Sequence, residues 1–371
     1  MPLDAIARSL PRDASAAARI YLRPLTTTQR DARPGSPKLA GGAMCFDAVE
    51  LIVKAAEGGL RRQTASLEEI EARAGGDEGF ALAVRSWLDR LRRRPEPLLG
   101  LDFTRPLLMG VVNLTADSFS DGGDHLATEA AVDRAHALVD AGADLIDLGA
   151  ESTRPGAAEV PSRNQLARLL PVLQRLSALE APISVDTRSA VVMREVLAAG
   201  ASLINDVSGL RHDPAAAAVI AEAKAPVVLM HSRATPATMQ AEARYDDVLT
   251  EVYDALDLRI GELSAAGIAG DRLIVDPGFG FAKTAAHNVA LLTGLALLHG
   301  LGRPLLAGLS RKSYIARLSR GEAPKARLPG SLAAALWALG QGAQMLRVHD
   351  VLETAQAVAL WRKLAAAPEG A

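Results

Sequence analysis

The chain has 371 residues, of which 49% are hydrophobic and 23% are charged. This composition is ordinary for a globular protein and argues against global disorder. The length allows two or three domains, or one α/β barrel of about 250 residues with an additional segment. The formal net charge of -2 argues against nucleic-acid binding through overall basicity.

From the sequence we expect neither an export signal nor a membrane-spanning helix. The charged N-terminal segment MPLDAIARSLPRD does not fit a secretory signal peptide. The run SLAAALWALGQGAQML comes nearest to the roughly 20 apolar residues of a membrane helix, but a packed core helix explains it better. The single cysteine, Cys45, cannot form an internal disulfide, and we interpret it as a small buried residue. We therefore expect a cytoplasmic protein that binds neither membrane nor nucleic acid.

Residues 1–100 have an uneven pattern that ends at the proline-rich linker RPEPLLGLDFTRP. RIYLRPL predicts a strand, whereas MCFDAVELIVKAAEGG fits either a helix or a strand. Ser66 and Glu69 have the spacing of a capping box and predict the start of a helix. FALAVRSWLDRLRRR has apolar residues at helical spacing. We predict a small N-terminal extension, helical or α+β, whose role the sequence does not indicate.

From residue 105 onward, short apolar runs alternate with alanine-rich segments of helical period. There are eight such runs: PLLMGVVN, DLIDLGA, ISVDT, LINDV, VVLMH, LIVDPG, LLAGLSR and MLRVHD. Nearly continuous apolar strands are typical of a parallel sheet covered by helices on both faces. The pattern predicts a (β/α)8 TIM barrel over residues 101–371. A doubly wound open sheet is the main alternative, but no G-x-G-x-x-G motif follows the first strand.

Polar side chains stand at the predicted strand ends, where the active sites of such barrels lie. They are Asn113, Asp186, Thr187, Asn205, Asp206, His231, Asp276, Ser310, Arg311, Lys312, Arg347, His349 and Asp350. Each one alone is more simply explained as a helix cap or a structural group, and we interpret Asp206 and Asp350 in that way. Their convergence at one end of a barrel favours an active-site rim.

The residue types at this rim indicate what it binds. Asp186, Asn205 and Asp276 offer the acceptors and amide that a planar heterocycle with amino, ring N–H and carbonyl edges requires. The last two strands, where barrels commonly bind phosphate, contribute Lys312, Arg347 and His349. The sequence therefore predicts a pocket for a polar heterocycle beside an anion site.

Two polar loops follow the first two strands of the predicted barrel. VNLTADSFSDGGDH is long enough for a mobile lid, although a surface loop with turn glycines explains it equally well. GAESTRPGAAEVP would place the cation of Arg154 at the barrel mouth. We find neither a P-loop nor a zinc-type histidine spacing.

These residues together resemble the dihydropteroate synthase family, pterin-binding TIM barrels of folate biosynthesis. The matching stretches are MGVVNLTADSFSDGG, GADLIDLGAESTRPGA, ISVDTRSA, INDVSG, VVLMHSRATPATMQ, IVDPGFGFAKT, LLAGLSRK and MLRVHDVLETAQA. They occur in order and cover essentially all of residues 105–365.

The resemblance implies a transferase that joins 6-hydroxymethyl-7,8-dihydropterin diphosphate to 4-aminobenzoate, giving 7,8-dihydropteroate and pyrophosphate. It implies that the pterin is bound by Asp186, Asn205, Met230, Asp276 and Lys312. It places around the aminobenzoate Thr153, Arg154, Phe281 and Ser310. It assigns Arg347 and His349 to the diphosphate and Asn113 to its Mg2+ cofactor. Asp121 would help to order the closed first loop. The catalytic residues that it implies are Asp121, Arg347 and His349. It further implies a homodimer formed through barrel helices and a target for sulfonamides.

Some positions of this sequence depart from the family pattern. Ala116 stands where the family commonly has proline, and Ala150 stands where it often has glycine. The fifth strand continues HSRATP rather than the commoner HMxGTP. We expect these changes to affect loop closure and inhibitor fit more than activity.

A pterin-dependent methyltransferase would not need the cations of SRK and RVHD, because methyl transfer releases no pyrophosphate. A non-catalytic paralogue acting as a partner subunit would be expected to lose loop residues such as Asp121 or Thr153.

Overall fold

The protein is represented by a computed structural model, which describes residues 19–55, 59–74, 78–114, 124–152, 157–233 and 242–367. The described strands form two sheets, one of three strands and one of eight. The three-stranded sheet precedes the eight-stranded sheet in the chain and packs on the outside of the barrel, with which it shares a hydrophobic core.

The N-terminal unit is α+β. Its antiparallel sheet has the order β1-β2-β3, with β1 at Arg19–Thr28, β2 at Met44–Lys54 and β3 at Leu60–Ser66. Two helices follow, α1 at Leu67–Ala74 and α2 at Glu78–Arg92. The segment that fitted a helix or a strand is therefore β2, which pairs with both neighbours. Cys45 lies in this strand and is buried, as predicted.

The predicted capping box begins α1. The backbone N–H of Ser66 donates to Oε2 of Glu69 at 2.7 Å, and the backbone N–H of Glu69 donates to Oγ of Ser66 at 3.1 Å. Each side chain thus satisfies a backbone donor that the first helical turn leaves unpaired.

The eight-stranded sheet forms the predicted TIM barrel, and each predicted apolar run contains one strand. The strands are β4 (Leu107–Asn113), β5 (Leu145–Gly149), β6 (Ile183–Asp186), β7 (Leu203–Asp206), β8 (Val227–Met230), β9 (Leu273–Asp276), β10 (Leu306–Ala307) and β11 (Met345–Val348). All pairings are parallel, in the order β10-β11-β4-β5-β6-β7-β8-β9. A parallel bridge between Val275 and Leu305 brings β9 beside β10 and closes the ring.

Helices alternate with these strands and cover the outside of the barrel. They are α3 (Asp124–Asp140), α4 (Ser162–Arg175), α5 (Ala190–Ala198), α6 (Ala216–Ala223), α7 (Val248–Ala265), α8 (Ala285–Thr293), α9 (Ser313–Leu318), α10 (Leu328–Gly340) and α11 (Val351–Ala365). In α3, the small residues Ala131 and Ala135 lie with Leu138 on the buried face. Gly142 ends the turn after α3 with φ of +101°, which favours glycine. No helix of the described segments is long and apolar enough to cross a membrane.

Aromatic side chains join the N-terminal unit to the barrel. Trp87 of α2 stacks on Tyr253 of α7, with ring centroids 5.1 Å apart, and Tyr21 of β1 meets the same ring edge-on at 5.5 Å. The hydroxyl of Tyr253 donates to the carbonyl of Gly300 at 3.0 Å. A Cβ atom at Gly300 would lie 1.8 Å from the Trp87 ring, so only glycine allows this approach. The unit therefore covers apolar barrel surface.

We predict that Trp87→Ala destabilises the protein by about 3–5 kcal/mol, the usual cost of removing a buried aromatic side chain. Leu82→Ala on the same helix is the matched control, because Leu82 is 65% exposed; its effect should stay within about 0.5 kcal/mol. Chemical denaturation of the full chain measures both. Equal effects of the two substitutions would contradict the packing of α2 on the barrel.

Candidate active site

Along β5, β7, β9 and β11, the side chains that face the barrel interior change from apolar to polar. Near the strand starts they form a buried cluster that includes Leu107, Met109, Leu145, Leu203, Val228, Ile274, Leu306 and Met345. Residues two positions further along a strand point to the same face. At those positions β5, β7, β9 and β11 carry Asp147, Asn205, Asp276 and Arg347. A polar layer therefore lies directly above an apolar plug, at the carboxyl ends of the strands.

Arg347 is the centre of this layer. Its Nε donates to Oδ2 of Asp147 at 2.6 Å, and its Nη2 donates to Oδ2 of Asp186 at 3.0 Å. Asp147 also accepts from Nδ2 of Asn205 at 3.1 Å and from Oγ of Ser184 at 2.6 Å. We call these five residues the Arg347 cluster. Its hydrogen bonds join β5, β6, β7 and β11 across the barrel floor.

Burial changes the pKa of Asp186 in this cluster. It raises the pKa of Asp186 to about 7, and the nearby carboxylates of Asp147 and Asp206 act in the same direction, while Arg347 opposes them. The carboxyl oxygens of Asp147 and Asp186 accept the hydrogen bonds of Arg347, and in its ionised form Asp186 adds negative charge to this layer. The floor of the site therefore favours a ligand that donates hydrogen bonds or carries positive charge.

A second polar pair lies beside the cluster. Oδ1 of Asp276 accepts the backbone N–H of Gly278 at 2.7 Å, which fixes the turn after β9. Burial raises the pKa of Asp276 and lowers the pKa of Lys312 to about 8, and the opposite charge of each residue reduces the shift of the other. Gly280 has φ of +82°, and a Cβ there would lie 3.3 Å from Cδ of Lys312. The turn thus requires glycine where it passes Lys312.

An apolar wall lies beside the polar layer. Val207, Met230, Phe281 and Ala282 pack together as a separate small cluster at the ends of β7, β8 and β9. The ammonium of Lys312 lies 4.4 Å from the centroid of the Phe281 ring, within cation–π distance. This end of the barrel consequently combines an apolar wall with donors and acceptors that lie in one layer.

The last two strands form the cationic side of the site. Nδ1 of His349 lies 3.0 Å from Oγ of Ser310, and the backbone N–H of His349 donates to the same oxygen at 3.3 Å. Burial, together with the charges of Arg347 and Arg311, lowers the pKa of His349 to about 3. A cavity of about 270 Å³ beside it is lined by Asn113, Arg134, Arg311 and His349, among others. This cavity offers positive charge and one amide oxygen.

The structure brings most of the predicted site residues to one end of the barrel. They are Asp186, Asn205, Met230, Asp276, Phe281, Ser310, Lys312, Arg347 and His349. Asn113 lies at the edge, where its exposed side chain lines the cavity next to His349. Asp121, Thr153 and Arg154 lie outside the described residues.

Two strand-end carboxylates anchor loops, as predicted. Asp206 accepts the backbone N–H groups of Ser208 and Leu210 at 2.6 and 2.9 Å. Asp350 accepts from Nε of Arg311 at 2.9 Å and makes no side-chain cap at α11. Both are therefore structural rather than ligand-facing.

Among the buried charged residues that sequence reasoning missed are Asp147 and Lys283. Asp147 interrupts the apolar run of β5, and a charge inside such a strand requires partners within the barrel. Nζ of Lys283 donates to the carbonyls of Gly278 and Phe281, both at 3.0 Å, and lies 3.2 Å from Nδ1 of His231. Lys283 fixes the turn that carries Phe281, and His231 serves this structural network.

Comparison with known proteins agrees with this geometry. The profile of the family described as pterin binding enzyme matches residues 109–349. Dihydropteroate synthase of Escherichia coli K12 is 46% identical over 259 residues, which are 70% of this chain and 91% of that protein. The chain belongs to the dihydropteroate synthase family. A solved structure of Xanthomonas albilineans dihydropteroate synthase with 4-aminobenzoic acid matches with a TM-score of 0.68 and 49% identity, covering 72% of this chain and 96% of the other. The same enzyme with 7,8-dihydropteroate gives 0.66 and 47%, with coverage of 72% and 97%.

We predict that Asp147→Asn shifts the pH dependence of the reaction. An ionised Asp186 accepts hydrogen bonds, so kcat/KM for the pterin substrate should rise with pH as this group loses its proton near neutrality. In this variant Asp186 is the only carboxylate that accepts from Arg347, and the repulsion from Asp147 is gone. Both changes lower the pKa of Asp186. The rise should therefore move to lower pH by about one unit. Steady-state kinetics across the neutral range measure it.

The control for this substitution is Asp133→Asn on the exposed face of α3, which should leave the pH profile unchanged. A profile of the Asp147 variant that coincides with the wild type, or moves to higher pH, would contradict the coupling within the Arg347 cluster.

Proposed function

We propose that this chain joins 6-hydroxymethyl-7,8-dihydropterin diphosphate to 4-aminobenzoate and releases pyrophosphate. The observation that carries the proposal is the Arg347 cluster, which places acceptors for a heterocycle beside the cations of the last two strands. Relatives named dihydropteroate synthase, including one solved with 7,8-dihydropteroate, support it. The same cations disfavour a methyltransferase, because methyl transfer leaves no pyrophosphate to stabilise.

The heterocycle of the pterin fits the polar layer. Asp186 and Asp276 accept its amino and ring N–H groups, and Asn205 and Lys312 satisfy its remaining polar edge. The apolar wall around Met230 covers one ring face. The ring is thus recognised along its edge by hydrogen bonds and across its face by packing.

The reaction breaks the C–O bond between the exocyclic carbon and the diphosphate, and the electron pair leaves with the pyrophosphate. Arg347 and His349 stabilise the negative charge that grows on this group, as preorganised donors do. The carboxylates of Asp186 and Asp276 stabilise positive charge on the pterin. The amine of 4-aminobenzoate then forms the new C–N bond and loses one proton.

The site for 4-aminobenzoate lies beside Phe281 and Ser310. An aromatic amine of low basicity is neutral and nucleophilic at physiological pH, so the reaction requires no strong general base. Thr153 and Arg154, which the family resemblance assigns to this substrate, and Asp121, assigned to loop closure, remain predictions. One relative has been solved with 4-aminobenzoic acid, which supports the choice of substrate.

We propose that Mg2+ accompanies the diphosphate. Among the described residues, no group of three or more His, Cys, Asp or Glu side chains could hold a metal ion. Mg2+ bound through substrate phosphates needs only one or two protein ligands, and the exposed amide oxygen of Asn113 beside the cationic cavity fits that need. When bound, Mg2+ supplies charge neutralisation for the leaving pyrophosphate.

We also propose a cytoplasmic homodimer. Helices α10 and α11 present large apolar side chains to solvent, namely Trp337, Leu352, Leu360 and Leu364. Exposed apolar groups on neighbouring helices favour association with a second copy. A single cysteine is in keeping with a reducing compartment.

The direct test is release of pyrophosphate from the purified chain with both substrates and Mg2+. Arg347→Ala should lower kcat by roughly 10²-fold, because it removes a donor to the leaving group. Arg85→Ala on the exposed face of α2 is the control and should leave kcat unchanged. Excess chelator should abolish the wild-type reaction.

Unchanged turnover in Arg347→Ala would overturn the role of Arg347, and full activity in chelator would overturn the role of Mg2+. A wild-type chain that neither releases pyrophosphate nor forms 7,8-dihydropteroate would instead be the non-catalytic paralogue.

A further inference from the structure

The N-terminal sheet contacts the barrel beside the active site as well as through its aromatic residues. Arg62 of β3 forms an ion pair with Asp247, the residue that precedes α7. Nη1 of Arg62 also donates to Oε2 of Glu50 at 3.2 Å, and Nε of Arg23 donates to the same oxygen at 2.8 Å. Arg62 is therefore held in the sheet by Glu50 while it binds the barrel through Asp247.

Asp247 is the N-cap of α7 and part of the stem of the loop between β8 and α7. Its Oδ1 accepts the backbone N–H and the hydroxyl of Thr250, both at 2.9 Å. Oε1 of Glu251 accepts the backbone N–H groups of Asp246 and Asp247 at 2.7 and 2.8 Å. Glu251 also pairs with Arg233, on the β8 side of the loop. The ion pair of Arg62 thus fixes a segment whose backbone is already ordered by its own side chains.

Tyr245 connects this stem to the substrate pocket. The guanidinium of Arg233 lies 4.0 Å from the centroid of the Tyr245 ring. The Tyr245 ring lies 6.3 Å from that of His231 and 5.1 Å from that of His287 at the start of α8. His231 lies against Lys283, which donates to the carbonyl of Phe281. An unbroken series of contacts therefore leads from the sheet to the residue proposed to face 4-aminobenzoate.

The sheet is an addition to the shared barrel. The family profile begins at residue 109, and 259 residues of this chain cover 91% of the Escherichia coli synthase. Arg62 and Glu50 lie before that region. A contact between this addition and the loop stem can act on binding without contributing a group to the reaction itself.

We propose that Arg62 is a positioning residue, through which the N-terminal sheet holds the stem at residues 242–247 and thereby the wall that carries Phe281. The inference rests on the proposed function for the substrate that this wall binds. It gives the N-terminal unit a role in substrate affinity in addition to covering the barrel.

The test is Arg62→Glu, which places a like charge opposite Asp247 and Glu50. Breaking a partly exposed ion pair and adding repulsion should raise KM for 4-aminobenzoate by about two- to tenfold, with kcat within about twofold. The backbone N–H groups of Asp246, Asp247 and Thr250 should exchange with solvent faster. Arg62→Lys keeps the charge and should restore both values.

The matched control is Arg92→Glu. Nη2 of Arg92 pairs with Glu71 at 3.0 Å within the N-terminal unit, between α2 and α1. This variant suffers the same charge reversal without a contact to the loop stem, so KM and exchange should stay at wild-type values. If both variants raise KM equally, or if Arg62→Glu changes neither value, the positioning role is wrong.

The two proposals fail separately. Absence of synthase activity in the wild-type chain overturns the proposed function and leaves hydrogen exchange to decide on Arg62. Faster exchange at residues 246–250 in Arg62→Glu alone then supports positioning of the stem by the sheet, whereas equal exchange in both variants overturns it.

Discussion

The sharing of one arginine between two buried carboxylates is the interaction on which the active-site end of this barrel depends. Arg347 donates to Asp147 and Asp186, which belong to different strands. Removing one partner of such a buried pair leaves an uncompensated charge, which is costly. The barrel therefore keeps all three groups in register, and the polar layer is fixed before a ligand arrives. Its carboxylates suit a ring that donates hydrogen bonds and becomes positive during the reaction.

The floor of the site is built on strands, whereas its apolar wall is built on a turn. The strands fix the floor, since Asp147, Asn205 and Arg347 project from paired backbone. The wall at Phe281 lies on a turn, and that turn depends on Lys283 and on the glycines that allow its path. The N-terminal sheet acts on this wall and not on the floor. An added unit can therefore tune affinity without disturbing the reacting groups.

Much of this architecture could be predicted from the sequence, because hydrophobic periodicity and polar strand ends are local signals. The eight strands and the convergence of Asp186, Asn205, Asp276 and Lys312 followed from them. Hydrophobic periodicity does not reveal Asp147, because it predicts a uniformly apolar interior for β5, although a single charge in such a run indicates an inward-facing group. Asp147 can be recognised because it interrupts an apolar run, and not because it lies at a strand end.

Long-range pairing lay beyond local signals. The segment of β2 fitted a helix or a strand, and only its pairing with β1 and β3 decided between them. The same holds for the ion pair between Arg62 and Asp247, which joins parts of the chain that are 185 residues apart. No spacing rule connects such residues. Docking of the N-terminal unit on the barrel is a property of the tertiary structure alone.

The Arg347 cluster, as we infer, is the floor of a pterin site. A crystal structure of this protein with 7,8-dihydropteroate tests it most directly. We expect the pterin ring to lie within hydrogen-bond distance of Asp186, Asn205 and Asp276, with its aminobenzoate end beside Phe281. A ring bound elsewhere, with Arg347 still closed on both carboxylates and no ligand above it, would contradict it.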